Sequence, residues 1–254
     1  MRRGLTPPLQ NKFMPDKLNP KTLVTVHGYA GDRHQIKNML RYYEHHGCPV
    51  VIFSPEDSPI HAMGPHICRV GGKRAYIGPL SLERQRIHLQ MMLEYKEFDW
   101  FLCNDSDSVC VASKIPTKLF QERVLWSNEV SDEMHVRKPD YTWPRLAFQP
   151  PYLMPREVVQ ALVDIAPTVA VDSQTPFIDW CMMSWAIAGN IPHKNFPNGI
   201  SCPTSDEHCL GVMVHHVERQ GKIMCHSIKT ARALTRVLNA RMKFNRLNHG
   251  KNRL

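Results

Sequence analysis

Short apolar runs alternate with amphipathic segments through the first half of the chain. The β-branched run at residues 22–27 predicts a first strand, and the run at residues 49–53 predicts a second. Between them, apolar residues at helical spacing, followed by Gly47, predict a helix over residues 33–46. A strand, a crossover helix and another strand in this order predict a parallel pair.

The same alternation continues to the middle of the chain. Residues 80–95 place apolar side chains on one face of a predicted helix, and the apolar run at residues 98–104 predicts a buried strand directly after it. Residues 58–79 contain several Gly and Pro and predict a long loop. The pattern therefore predicts an α/β fold with a mostly parallel central sheet flanked by helices.

The second half of the chain has a different pattern. Residues 140–152 are aromatic and rich in Pro, and residues 190–206 resemble a loop. The apolar spacing predicts two helices, at residues 155–163 and 177–188, and two short strands, at residues 210–214 and 222–225. We expect this half to form a smaller subregion beside the first.

Composition narrows the class of protein. The chain has 254 residues, enough for one large domain or two small ones. None of its segments approaches the ~20 apolar residues that a membrane span requires, so we expect no membrane association. The first eight residues are basic without an apolar run behind them, which argues against a secretory signal. Eight scattered cysteines, without a C-x-x-C pair, favour a reducing cytoplasm.

The charge balance is basic and uneven. The net charge is +9, from 32 basic and 23 acidic residues, which favours a polyanionic partner such as nucleic acid. Residues 230–254 carry seven Lys and Arg and no acid. Leu234, Val237, Leu238 and Met242 follow helical spacing there, so the tail is predicted as a basic amphipathic helix. The alternative is a terminal helix docked on the core with a solvated outer face.

Two acidic residues stop the apolar run that ends at residue 104. Asp105 and Asp107, separated by Ser106, come at the predicted carboxyl end of a strand, where open α/β sheets bind ligands. Two carboxylates one residue apart can reach one divalent cation, which would offset the charge of a diphosphate. The alternative is a strand followed by a solvated turn, since D-x-D alone is a common pattern.

Four motifs in order resemble the GT-A fold glycosyltransferases, metal-dependent enzymes that transfer a sugar from a nucleotide diphosphate sugar. The first strand and its turn, residues 26–32, stand where that fold holds the nucleotide, and residues 105–107 are similar to its metal-binding D-x-D. Residues 177–180 match the acidic residue at the start of a helix beside the acceptor. Residues 225–229 resemble the segment with a late histidine that completes the metal site.

The resemblance implies a single GT-A-like domain and a division of the chain. Residues 1–21 form an N-terminal arm, residues 22–139 the nucleotide-sugar-binding half, and residues 140–230 the half that binds the acceptor and completes the metal site. Residues 231–254 form the basic C-terminal helix or tail.

The resemblance also implies a metal site. Asp107 is the direct carboxylate ligand, and Asp105 binds the metal through water or binds the ribose. His226 adds a nitrogen ligand, or else is a histidine near a strand end that hydrogen-bonds only to the backbone. Mixed oxygen and nitrogen ligands suit Mn²⁺ better than Mg²⁺. Lys229 pairs with a phosphate oxygen. A structural zinc site built from the late Cys and His residues is the competing hypothesis, but their spacing fits no known finger or ribbon.

The remaining predicted site residues divide into three groups. Asp179 is the candidate general base of an inverting transfer, or else a helix cap, and Trp180 stacks on a sugar or base or fills the core. Arg69, Lys73 and Arg74 form a basic, flexible segment that holds phosphate of the donor or acceptor, or else is a solvated loop. The donor side, around the base, ribose and phosphates, comprises His27, Gly28, Tyr29, Asp32, Asp57, Arg84, Asp105, Ser106 and Lys229.

We therefore expect a cytoplasmic, metal-dependent glycosyltransferase that moves a hexose, glucose from UDP-glucose, to a hydroxyl acceptor. The basic chain resembles virus-encoded enzymes, as in bacteriophages, that glycosylate hydroxymethylated bases in double-stranded DNA after drawing the base from the stack. A protein or glycan acceptor is the first alternative. A metal-dependent nuclease and a non-catalytic DNA-binding protein are the others.

Overall fold

The computed structural model describes residues 21–75, 79–110, 115–131, 146–169, 178–196, 199–201, 207–220, 224–226, 228, 232–237 and 239. The predicted N-terminal arm lies outside these residues, apart from Lys21. None of the helices within these residues is long and apolar enough to cross a membrane.

The described residues form a central sheet of seven strands and a small second sheet of three. In chain order the strands are β1 (Thr22–His27), β2 (Val50–Ser54), β3 (Ile67–Val70), β4 (Trp100–Asp105), β5 (Val109–Cys110), β6 (Leu125–Ser131), β7 (Leu146–Pro155), β8 (His193–Asn195), β9 (Gly199–Ser201) and β10 (Met224–His226). The helices are α1 (Arg33–His45), α2 (Pro79–Leu93), α3 (Arg156–Ile165), α4 (Ile178–Ala188) and α5 (Glu207–Gln220).

The central sheet is mostly parallel. Its strand order is β3-β2-β1-β4-β7-β6-β8, and β7 runs antiparallel to both of its neighbours. The pairs β2–β3, β1–β2, β1–β4 and β6–β8 are all parallel. This confirms the predicted α/β class and is consistent with a single GT-A-like domain. The sheet takes strands from both predicted halves of the chain.

Helices cover both faces of the sheet, because side chains of successive strand residues point to opposite faces. On one face, Val24 and Val26 of β1 belong to a core shared with α1 and α5. On the other face, Leu23 of β1 and Phe53 of β2 pack in a second core with α2, α3 and α4. Both faces of β1 are therefore buried, which explains why its apolar and β-branched residues do not alternate with charged ones.

One predicted strand is wrong. The segment at residues 210–214 lies inside α5. Leu210, Met213 and Val217 are buried at spacings of three and four residues, so the apolar pattern belongs to one face of a helix. A short window of mostly apolar residues fits both periods. The longer stretch that decides between them includes polar residues on both sides of the window, which we left unassigned.

Other strands lie in segments that we predicted as loops or left unassigned. β3 lies within residues 58–79, and β8 and β9 lie within residues 190–206. β8 is fully exposed and contains no apolar residue, whereas β3 is mostly apolar but only four residues long and is partly buried or exposed throughout. β7 begins within the aromatic, Pro-rich segment of residues 140–152, to which we assigned no element, and Pro is rare in central strands.

The start of the basic C-terminal segment docks on the core. Residues 232–237 are helical, and Ala233, Leu234 and Val237 are buried in the same core as α1 and α5. Arg236 and Arg232 form ion pairs with Glu207 at the start of α5. Of the two readings of this segment, the structure favours a docked terminal helix with a solvated outer face for residues 232–237. The basic residues beyond 239 lie outside the described residues.

Candidate functional site

The parallel strands β1, β2 and β4 end side by side at one edge of the central sheet. His27, the last residue of β1, is level with Phe53 of β2 and with Asp105 of β4. The turns that follow these strands therefore meet at the carboxyl edge, where open α/β sheets bind their ligands. The acidic turn ends a buried strand, as predicted.

The turn after β1 is joined directly to the acidic turn after β4. The hydroxyl of Ser106 donates a hydrogen bond of 2.7 Å to Oδ2 of Asp32, and the backbone N–H of Tyr29 donates to the same oxygen at 3.4 Å. Gly28 allows this close approach, because a Cβ atom there would lie 3.3 Å from Cβ of Ser106 and 2.6 Å from Cδ1 of Ile36. Four of the predicted donor-side residues thus meet.

A third segment, residues 71–74, closes the other side of this edge. The guanidinium carbon of Arg74 lies 3.4 Å from the centroid of the Tyr29 ring, a close cation–π contact. The backbone N–H of Arg74 donates a 2.7 Å hydrogen bond to Oδ1 of Asp57, which follows β2. Tyr29, Asp57 and Arg74, predicted separately from the sequence, are therefore neighbours at one surface.

The basic segment that we predicted as flexible is instead tied to the sheet. The N–H of Gly71 donates to the carbonyl of Ser54 at 3.0 Å, and the N–H of Glu56 donates to the carbonyl of Gly72 at 2.7 Å. Arg69 belongs to β3, and its side chain forms a 2.9 Å ion pair with Glu94. Lys73 is exposed. Arg69 is consequently engaged away from the Tyr29–Arg74 contact.

A turn stabilised by hydrogen bonds holds the two acids of D-x-D. The N–H of Asp105 donates to Oγ of Ser108 at 2.8 Å, and the N–H of Ser108 donates back to the carbonyl of Asp105 at 3.0 Å. Asp105 and Asp107 are half-buried, whereas Ser108 is fully buried. Two carboxylates at a fixed turn supply the oxygen ligands that Mg²⁺ and Mn²⁺ take, so the described donors fit a divalent cation.

The late segment of the chain runs beside this turn. β10 pairs with β5, placing Cys225 opposite Val109, two residues after Asp107. The N–H of Ile228 then donates a 2.7 Å hydrogen bond to the carbonyl of Asp107. The backbone of His226 is thereby brought to the neighbourhood of D-x-D. The side chain of His226 and all of Lys229 lie outside the described residues, so their roles stay predictions.

No group of three or more His, Cys, Asp or Glu side chains suited to a metal ion occurs within the described part of the chain. The metal trio of Asp105, Asp107 and His226 is not tested by this finding, because one of its side chains is not described. For the competing zinc hypothesis, His208, His215 and His216 lie along α5, and the described side chains form no such cluster.

The buried His88 and the partly buried His27 lie directly beneath the site. Nε2 of His88 lies 3.2 Å from the carbonyl of Gly71, which can only accept, so this nitrogen carries the proton. Nδ1 of His88 must then accept from Nδ1–H of His27, also at 3.2 Å. Nε2 of His27 in turn accepts from the hydroxyl of Thr25 at 3.2 Å. Both rings are neutral in this chain of hydrogen bonds.

The pKa values of the two histidines agree with that assignment. Burial, with a contribution from the positive charge of Arg84, lowers the pKa of His88 to about 3. Burial, followed by the effects of His88 and Arg84, holds the pKa of His27 well below its usual value. Both nitrogens of His27 are occupied by protein partners, so its geometry favours a supporting role beneath the site over contact with a nucleotide.

Arg84 lies on α2 against the Gly-rich turn. A Cβ atom on Gly72, which has φ of +69°, would lie 2.7 Å from the Cα atom of Arg84. Gly72 therefore allows α2 to approach residues 71–74 closely. Arg84 is partly exposed, and its positive charge contributes, after burial, to the lowered pKa of both histidines.

The candidate base and its neighbour lie at the start of a helix. α4 begins at Ile178, so Asp179 and Trp180 are in its first turn, as predicted. Their side chains lie outside the described residues. Met182, one turn along the helix, contacts Gln85 of α2, which places the start of α4 beside α2. The roles of Asp179 and Trp180 stay predictions.

We did not predict from the sequence that His88 and Ser108 belong to the site, or that Arg74 contacts Tyr29. His88 lies on the core face of α2, four residues after Arg84. From the sequence alone, a single histidine at such a position is interpreted as a core residue. Its pairing with His27 depends on the strand order, which the sequence pattern does not specify.

No protein-family model matches the chain, and no curated protein matches it. Similar solved structures include that of a glycosyltransferase involved in the glycosylation of the major capsid of PBCV-1, with 15% identity and a TM-score of 0.47, covering 88% of this chain and 100% of that one. Another is A197 from STIV, with 12% identity and a TM-score of 0.40, covering 69% of this chain and 81% of that one. Both TM-scores are below 0.5, so neither likeness carries an argument about function.

Proposed function

We propose that this protein is a glycosyltransferase that moves a hexose, glucose from UDP-glucose, to a hydroxyl acceptor. The observation that carries the proposal is the convergence of separate predicted donor-side segments at the carboxyl edge of the sheet. The Ser106–Asp32 hydrogen bond joins the turns after β4 and β1, and the Arg74–Tyr29 contact joins them to the turn after β3.

The donor nucleotide would occupy the surface around Tyr29. An aromatic ring and a guanidinium present flat faces to a base, and the Asp32 and Asp57 carboxylates can accept hydrogen bonds from ribose or base. Both acids are already fixed by protein donors, which orients their remaining lone pairs. Arg84 supplies positive charge on α2 for the diphosphate.

Asp105, Asp107 and His226 would hold a divalent cation, Mn²⁺ or Mg²⁺, beside the diphosphate. Such an ion, when bound, stabilises the negative charge that develops on the leaving nucleoside diphosphate. The hydrogen bonds within the 105–108 turn and the Ile228–Asp107 bond fix the backbone that carries the acids. In the proposal, Lys229 lies close to the same phosphates.

Asp179 would take the proton of the attacking hydroxyl in an inverting transfer. In that reaction the acceptor oxygen forms a bond to the anomeric carbon while the bond to the diphosphate oxygen breaks, and the acceptor proton goes to the carboxylate. The first turn of a helix stabilises the carboxylate before it accepts the proton. Trp180 beside it would offer a ring face to the sugar.

For the acceptor, we propose a hydroxymethylated base in double-stranded DNA. The support is the net charge of +9, because binding to a polyanion needs exposed cations. The described cysteines Cys48, Cys68, Cys103, Cys110 and Cys225 are thiols, which supports a reducing compartment such as the cytoplasm. A protein or glycan acceptor is the alternative for the same donor site.

The test is a transfer assay with UDP-glucose, Mn²⁺ and duplex DNA that carries hydroxymethylpyrimidines. We expect UDP release and a hexose mass gain on the DNA, and neither with unmodified duplex. Asp179→Asn should lower the turnover number by at least ~100-fold, in line with the usual contribution of general acid–base catalysis, while UDP-glucose binding is retained.

Other outcomes of this assay decide against parts of the proposal. UDP release without labelled DNA contradicts the DNA acceptor and favours a protein or glycan. Strand breaks without UDP release contradict glycosyl transfer and favour the nuclease.

A further inference from the structure

The outer face of α1 carries a row of cations that the donor site does not use. Arg33, Lys37 and Arg41 follow one another at intervals of four residues, so they lie along one side of the helix. All three are exposed, and none of them forms an ion pair with a described carboxylate. At 1.5 Å of rise per residue the row spans about 12 Å.

The other faces of α1 are already occupied. Ile36 and Met39 are buried in the core. On a second side, the amide of Gln35 donates to the carbonyl of Ile228 at 2.8 Å, and the amide of Asn38 donates to Oγ1 of Thr235 at 3.2 Å. The cationic row is therefore the face that α1 leaves to solvent.

A groove runs along this row. It has a volume of about 380 Å³ and lies between α1 and residues 62–66, with Met63 and Pro65 among its lining residues. The guanidinium of Arg33 donates to the carbonyl of Ala62 at 2.8 Å, which fixes the head group at one end. The acid of the groove, Glu44, has a close partner, because its Oε1 lies 2.9 Å from Nε2 of His66.

The row begins at the candidate site. Arg33 follows Asp32, whose carboxylate accepts the hydrogen bond from Ser106 of D-x-D. An extended polyanion along α1 would therefore lead to the carboxyl edge of the sheet. One strand of duplex DNA carries a phosphate every ~3.4 Å of its axis, so a row of about 12 Å lies opposite about three phosphates.

We infer that Arg33, Lys37 and Arg41 form a binding surface for the phosphate backbone of double-stranded DNA, which guides the acceptor to the site. The inference extends the acceptor side of the proposed function. Backbone contacts of this kind position a duplex without reading its sequence. Binding to this surface needs no sugar donor, so it can be measured apart from catalysis.

The experiment measures the binding of a fluorescent, unmodified 20-base-pair duplex by anisotropy, without donor, over a range of salt concentrations. The test variant is Arg33→Gln/Lys37→Gln/Arg41→Gln. The matched control, Lys21→Gln/Lys96→Gln/Lys118→Gln, removes the same number of charges from exposed lysines outside α1 and its groove. A second variant, Lys37→Gln/Arg41→Gln, leaves the Arg33–Ala62 hydrogen bond intact.

For the test variant we expect an affinity about 10- to 100-fold lower near 0.1 M salt, and a log–log salt slope smaller by about 2.7, since each neutralised phosphate contributes about 0.9. The variant with two substitutions should lose about 1.8 of the slope, and the control should keep the wild-type slope. Circular dichroism checks that all variants are folded.

The inference is overturned if the wild type does not bind duplex DNA or if the control loses as much slope as the test variant. It is also overturned if the test variant loses binding to phosphatidylserine vesicles but keeps binding to DNA. If binding follows the expected pattern but UDP-glucose is neither bound nor turned over, the donor-site proposal fails while the DNA surface stands.

Discussion

At the scale of single residues, the Ser106–Asp32 hydrogen bond explains how segments far apart in sequence build one site. Its partners are 74 positions apart, and the bond joins the turn after β1 to the turn after β4. A hydrogen bond to a charged acceptor contributes about 1.5–3 kcal/mol when it is shielded from water. Because Asp32 also accepts from Tyr29, the same carboxylate positions the aromatic ring proposed to contact the base.

His88 has a different role, because it connects the sheet to residues 71–74 through hydrogen bonds between uncharged groups. The ring donates to Gly71, accepts from His27 and stacks on Phe53 with ring centroids 5.3 Å apart. Protonation would place two N–H groups face to face at the His27–His88 contact and add a charge in a buried position near Arg84. The folded state therefore favours the uncharged ring.

This preference predicts a dependence of stability on pH. The folded pKa of His88 is about 3, well below its usual value, so between about pH 6.5 and pH 3 the unfolded chain binds more protons than the folded one. The stabilisation is complete above pH 6.5 and is lost as the pH falls. We expect His88 to contribute a slope of up to ~1.4 kcal/mol per pH unit near pH 5.

Urea unfolding at pH 7, 6 and 5 measures this slope. His88→Gln keeps an N–H donor for Gly71 but does not titrate, so its stability should fall less steeply between pH 7 and pH 5 than that of the wild type. Equal slopes in the two proteins would show that His88 is protonated to the same extent in both states.

At the scale of elements, the sequence predicts helices and strands best where the apolar residues follow a single period, either that of a helix or that of a strand. β1, β2, β4, α1 and α2 each have long apolar patterns, and each was predicted within about two residues of its bounds. The acidic turn could be placed because it ends β4, where burial stops abruptly. β3 could not, because it is only four residues long and all four are partly buried or exposed at the edge of the sheet. α5 was misread because its apolar residues cluster within one short window.

The close contact of α2 with residues 71–74 makes Gly72 a critical position. Gly72→Ala should destabilise the protein by about 2–3 kcal/mol, because it adds a Cβ atom 2.7 Å from the Arg84 backbone at a φ of +69°. Gly64→Ala is the matched control, since Gly64 has φ of +65° and nothing within 4 Å of the added atom. The control should lose about 1 kcal/mol.

Equilibrium unfolding of both variants separates the cost of a side chain at positive φ, which both variants share, from the cost of the steric contact with Arg84, which only Gly72→Ala has. A loss at Gly72 no greater than that at Gly64 would mean that α2 and the turn move apart freely. UDP-glucose affinity measured on the same proteins should fall only for Gly72→Ala, since the turn it distorts carries Arg74.

At the scale of the whole molecule, the order of motifs carried more information than any single motif. The sequence places Asp32, Asp57 and Asp105 after separate strands, and the parallel order β2-β1-β4 brings those strand ends together. The pairing of His27 with His88 and the stacking of Arg74 on Tyr29 could not be predicted, because both depend on how α2 and β3 lie against the sheet. The exposure of Arg33, Lys37 and Arg41 on α1 could not be predicted either, because it depends on which faces of the helix the rest of the protein covers.

The most direct measurement of the central claim is the calorimetric titration of UDP-glucose into the protein with and without Mn²⁺. We expect binding that requires Mn²⁺ and that Asp105→Asn/Asp107→Asn weakens by at least ~100-fold, or about 2.7 kcal/mol. The control Asp99→Asn, an exposed acid just before the opposite end of β4, should bind as the wild type does. Binding that is absent in the wild type, or equal in all three proteins, would contradict a nucleotide-sugar site at this edge of the sheet.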